Sequence, residues 1–182
     1  MTASRSLVIA EGDPGTAQTV AEMATLIRDG ALTPDVRNTA VNLVGQMDDP
    51  LRQLLFLRAW LERNFRFVRD PASGELLHTP DYLMAQVRAH GAARGDCDDA
   101  AILAGALACA VGFQVALITV AVGKGKSRGA LLPFSHVWAS ASPPFACKDA
   151  SGRQVWIEFD VTRPAQYDAL SHITRAEATP VC

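Results

Sequence analysis

The chain has 182 residues, 49% of them hydrophobic, and a formal net charge of -2. That length and apolar content suit one domain with a proper core and a small helical extension. No lysine/arginine stripe marks a nucleic-acid footprint, and no apolar stretch is long enough to span a bilayer.

The first ten residues lack a long apolar core, so no secretory signal is expected. Asp13-Pro14 reads as a helix start, with Asp13 as cap and Pro14 at the first helical position. Val20, Met23, Ala24 and Ile27 then recur at helical spacing, and Gly30 is the expected stop. Thr33-Pro34 opens a second helix, through Val36, Ala40, Leu43, Val44 and Met47. Asp49-Pro50 opens a third, with Leu51, Leu54, Leu55, Leu61 and Phe65. Three proline-opened helices in succession predict a helical N-terminal part, residues 1–66, packed on a core of residues 67–182.

Phe65 to Val68 reads as a short extended piece, and Asp70-Pro71 begins a loop through Gly74. Thr79-Pro80 opens another helix, and residues 90–96, with Gly91 and Gly95, read as a loop. From Cys97 to Ala110 the chain is apolar all round and rich in alanine, the pattern of a buried helix. Phe113 to Val122 is strand-like, the basic segment 124–128 is read as a solvated loop, and 134–140 and 154–161 are further strand candidates. The last 20 residues give a mixed signal. Helices first, a central helix, then antiparallel strands make the expected class α+β.

Four cysteines are present: Cys97, Cys109, Cys147 and Cys182. None forms a CxxC pair; Cys109 is expected in the core and Cys182 as a flexible terminal thiol, which fits a reduced, intracellular setting.

Cys97 stands out. It lies in Gly-Asp-Cys-Asp-Asp-Ala-Ala, where a glycine loop meets the buried helix. A helix N-terminus offers unpaired N–H groups and the positive dipole end, which favour a thiolate. Asp98 and Asp99 suit the same helix start. A nucleophilic thiol needs a base, and of four histidines His136 sits in an apolar strand, Phe-Ser-His-Val-Trp. If 134–140 and 154–161 pair as a hairpin centred near Lys148, Asp160 falls opposite His136 and could hold its ring. A one-residue slip would turn Asp160 to the other face. Trp138 shares the His136 face, either roofing a site or filling the core. Cysteine, histidine and aspartate are also zinc ligands, which leaves metal binding as an alternative.

These residues together resemble the transglutaminase-like superfamily, which has a papain-like core. The resemblance rests on Gly95 to Ala100, Ser135-His136-Val137-Trp138 and Glu158 to Thr162, and covers about residues 60–165. It implies a Cys97, His136, Asp160 triad for thiol acyl transfer, with cysteine-peptidase or amidase chemistry on a peptide or isopeptide bond and no cofactor. It also implies an upstream side chain as second oxyanion donor beside the Cys97 N–H; Gln86, eleven residues before Cys97, is the candidate, the alternative being an ordinary surface glutamine. One departure is valine after Asp160, where many members carry proline. Val68 to Pro71, Glu75, Thr79-Pro80 and Gly15 to Thr19 followed by Met23 resemble, more narrowly, members from tailed phages and prophages. That narrower resemblance implies a bacterial cytoplasmic protein that can enter a phage particle. Its expected partners are a protein or peptide substrate and other phage structural proteins, with no nucleic acid and no membrane. It also raises an alternative, a virion assembly part with little catalysis.

Overall fold

The computed structural model describes residues 3–7, 12–70, 75–123, 132–144, 148–162 and 173–182. Its elements are β1 (Ser4–Leu7), α1 (Asp13–Ala31), α2 (Pro34–Val44), α3 (Pro50–Asn64), β2 (Phe65–Phe67), β3 (Glu75–His78) and α4 (Pro80–His90). There follow β4 (Ala93–Gly95), α5 (Cys97–Ala110), β5 (Gln114–Val122), β6 (His136–Ser142), β7 (Ile157–Glu158) and β8 (Ile173–Pro180). The class is α+β, as the order of the sequence signals predicts.

The proline signals act where they stand. Pro34, Pro50 and Pro80 each occupy the first turn of their helix, where a missing N–H costs nothing. The Asp49 carboxylate accepts from the N–H groups of Leu51 and Arg52, and the Thr79 hydroxyl accepts from Tyr82. At α1 the cap differs from expectation. Asp13 lies inside the helix and Gly12 is the N-cap, at φ 68°, a conformation that glycine adopts without strain.

α5 is the centre of the molecule. Its residues from Asp98 to Ala108 are all buried, because α1 to α4 pack around it and the β5–β6 face closes the rest. Small residues permit this closeness. A Cβ added at Gly105 would meet Ile27 Cδ1 at 2.8 Å, so α1 lies directly on α5 there. One continuous apolar cluster runs from Met23 and Leu54 through Leu103 to Leu117, Ala139 and Phe159.

The main sheet has the strand order β7-β6-β5-β8, antiparallel throughout. β6 and β7 pair with Ser140 opposite Glu158 and Ala141 opposite Ile157. This corrects the expected hairpin, because the register is displaced by two residues. The same register carried further sets Asp160 opposite Trp138, diagonal to His136. A two-residue displacement preserves the face, so Asp160 still lies on the His136 side. The hairpin's end is irregular: the Asp149 carboxylate accepts from Ser151 and Arg153 N–H, and Lys148 bridges Gln154.

Two smaller pairings complete the fold. β1 runs antiparallel to β3, and β2 runs parallel to β4, with Phe65 opposite Ala93 and Phe67 opposite Gly95. Residues 90–96, expected as a loop, therefore contain a strand that delivers the chain to Asp96 and Cys97. The Cys109 and Cys182 sulfurs are bonded to each other across 73 residues. This overturns their reading as a core thiol and a flexible terminal thiol. Cys97 is a free cysteine. The expected loops at 71–74 and 124–128, and Cys147, lie outside the described residues. Among the described residues no helix is long and apolar enough to cross a membrane.

Candidate active site

A cavity of about 560 Å³ opens where α5 begins. Cys97 and His136 both line it, as do Asp96 and Asp98. The opposite wall is α1, through Gly12, Thr16, Thr19 and Val20, which recur at helical spacing and face the cavity together. Thus the N-terminal helix contributes to the site itself.

Each candidate side chain is placed by its element. Cys97 is the first residue of α5, and the Asp96 carboxylate caps that helix by accepting from the Asp98 N–H at 3.1 Å. His136 begins β6, and the Val137 N–H beside it donates to the Cys97 sulfur, so strand and helix start are joined at the thiol. His136 Nε2 stands 3.1 Å from Asp160 Oδ1. The contact is close but not an aligned hydrogen bond. The Asp160 side chain is 3% exposed and that of His136 19%. With Nε2 directed to Asp160, Nδ1 is the ring nitrogen left for chemistry.

The thiol is held in its protonated form. Burial raises the Cys97 pKa most, and the Asp98 and Asp96 charges raise it further; only the Val137 N–H opposes them among the leading influences. The Cys97 Sγ donates to Asp98 Oδ1 at 3.6 Å. Asp98 therefore turns toward the sulfur, while Asp99 turns away into the protein. Asp98→Asn removes a like charge and should lower the thiol pKa. Its alkylation rate, followed against pH, should rise at lower pH than wild type, with a gain of about threefold or more at pH 7. An unchanged profile would show that Asp98 does not govern the thiol.

The other two sequence candidates lie differently. Trp138 is buried beside His136, with ring centroids 5.8 Å apart and planes tilted by 39°. It backs the imidazole and is not among the described cavity-lining residues. Gln86 Oε1 accepts from the Arg94 N–H at 2.8 Å, which ties α4 to β4, and Gln86 is likewise not among those lining residues. Among the described residues, the acidic groups with ligand atoms within 4.8 Å of one another are Asp96–Cys97–Asp98 and Asp70–Asp96–Asp99. The triple Cys97, His136, Asp160 is not such a group.

No family model matches the chain, and no curated protein matches it. Two solved structures share the fold. One is named as a candidate cysteine protease from Cytophaga hutchinsonii, at 17% identity and a TM-score of 0.50, over 81% of this chain and 40% of that one. The other is named as a candidate protease from Parabacteroides distasonis, at 16% identity and a TM-score of 0.50, over 76% of this chain and 26% of that one. The chain therefore spans less than half the length of either protein, and the likeness is one of fold.

Proposed function

We propose that the chain is a transglutaminase-like thiol enzyme that hydrolyses a peptide or isopeptide bond through Cys97, His136 and Asp160. The observation that carries this reading is the shared cavity wall. A free cysteine at a buried helix's first turn and a carboxylate-held histidine face the same space. The fold it shares with candidate cysteine proteases supports the reading.

The chemistry follows from the geometry. Cys97 Sγ attacks the scissile carbonyl carbon while Nδ1 of His136 takes the thiol proton. Because burial and Asp98 keep the thiol protonated, proton transfer accompanies attack rather than preceding it. Asp160 holds Nε2 and stabilises the imidazolium that forms. The carbonyl oxygen, carrying the negative charge, lies near the α5 N-terminus, whose N–H groups and dipole oppose that charge. The carbon–nitrogen bond then breaks, and Nδ1–H gives its proton to the leaving amine. A thioester remains on Cys97. His136 next takes a proton from water, which attacks the thioester; the acid leaves and the thiol is restored. The narrower likeness to phage proteins has no counterpart in the comparisons, and the reading does not depend on it.

The test is a peptidyl chloromethyl ketone followed by mass spectrometry. One adduct is expected, on Cys97, and Cys97→Ser should abolish it. Adducts spread over other residues, or none after prolonged incubation, would count against an assisted thiol.

A further inference from the structure

Asp99 is the most buried charged side chain of the site region, with 0% exposure, and the mechanism above does not use it. Two contacts from one residue fix it. The His78 backbone N–H donates to Asp99 Oδ1 at 2.8 Å, and His78 Nδ1 meets Oδ2 at 2.8 Å. His78 ends β3, and its ring stacks on Tyr82 of α4 at 5.0 Å with planes 13° apart. Asp99 also lies across the end of β4, since a Cβ added at Gly95 would sit 2.1 Å from Oδ2. The carboxylate thus touches the residue before the Asp96-Cys97-Asp98 turn and is anchored across the fold to β3.

We propose that Asp99 and His78 are positioning residues for Cys97, a role that rests on the catalytic reading above. Asp99 locks the first turn of α5 against β3 and β4, and so sets where the sulfur meets Val137 and His136. Simple stabilisation explains the pair less well. A buried ion pair recovers little net stability after desolvation, and an apolar pair of the same volume would serve as well or better. What the pair supplies is direction, through two hydrogen bonds at fixed angles. Asp99 raises the His78 pKa, chiefly by the side-chain hydrogen bond, so the contact strengthens when the imidazole carries a proton. Asp70 and Asp96, the other carboxylates facing this imidazole, act in the same sense. A displacement of about 1 Å at a reacting atom can cost about 100-fold in rate, so the anchor has a large effect to exert.

The test measures alkylation of Cys97 by a peptidyl chloromethyl ketone in the folded full chain, well below its unfolding temperature. Asp99→Asn preserves both contacts, because its Oδ1 still accepts from His78 N–H and its Nδ2–H donates to a neutral imidazole. It should stay within about threefold of wild type, whereas Asp99→Ala should fall about tenfold or more. If Asp99→Ala does not fold, His78→Ala decides. It retains the backbone contact, loses the ring contact and should slow alkylation about threefold to tenfold, and His78→Asn should restore much of the loss. A merely structural role would leave the native-state rate unchanged or raise it, since a loosened fold exposes the thiol. Wild-type or faster alkylation in His78→Ala, with His136→Ala still slow, would overturn the positioning role and leave the triad standing. Wild-type alkylation in His136→Ala would instead remove the triad reading and this one with it.

Discussion

His136→Ala is expected to reduce turnover of a cleavable peptide by about three orders of magnitude or more, with a much smaller change in KM. The size follows from the state of the thiol. Burial and Asp98 hold Cys97 protonated, so the proposed attack needs a base at the moment it occurs. His136 is the imidazole lining the cavity with Cys97, and Asp160 at 3.1 Å orients it. Removing the ring leaves an uncharged sulfur with carboxylates around it, a poor nucleophile. Binding should change little, because the α1 wall at Thr16 and Thr19 and the segment at Pro133 and Phe134 are untouched. Asp160→Asn should fall between the two, since the ring stays but loses its charged partner. Steady-state kinetics on one peptide, with circular dichroism to confirm folding, measures both. Turnover of His136→Ala within about threefold of wild type would exclude His136 as the base.

Much of this arrangement is legible in the sequence, and the exceptions share a physical cause. The helices are readable because their signals are local. Asp49 caps with its own carboxylate two and three residues on, and Pro34, Pro50 and Pro80 mark first turns. Buried α5 is readable because it is apolar on every side. Features set by distant partners are not. β4 is three residues long and pairs in parallel with β2, 28 residues earlier. β8 is an edge strand whose Arg175 and Glu177 interrupt any apolar alternation, a pattern common on edges but poor as a strand signal. The hairpin register depends on an irregular turn at Asp149, which hides a two-residue displacement. In the site, Cys97, His136 and Asp160 are visible as residue types in fitting local structure. The α1 wall is not, because Thr16 and Thr19 read as ordinary helix positions until the helix is seen against the cavity. Asp99 shows the same limit: locally it reads as a residue of the helix start, yet its partner is His78 from another strand.

Cys182→Ser is expected to lower stability by about 4 kcal/mol, the loop-closure entropy of a crosslink spanning 73 residues. The bond joins the end of α5, the helix that Cys97 begins, to the chain end just beyond β8. β8 is the outer strand beside β5, and its Arg175 pairs with Asp13 at the start of α1, at 2.6 Å, while lying 4.2 Å from the centroid of the Phe134 ring. Of these, Phe134 lines the cavity, and Asp13 follows the lining residue Gly12. Releasing Cys182 from α5 should therefore favour local opening of β8 and of the cavity wall beside it, before the α5 core yields. Urea unfolding of oxidised wild type and Cys182→Ser should show a lower midpoint for the variant, and reductant should shift wild type toward it. Thiol titration of the described cysteines in unfolded, oxidised wild type should find Cys97 reactive and Cys109 and Cys182 blocked. Free Cys109 and Cys182 under those conditions, or midpoints that coincide, would remove the crosslink from the account.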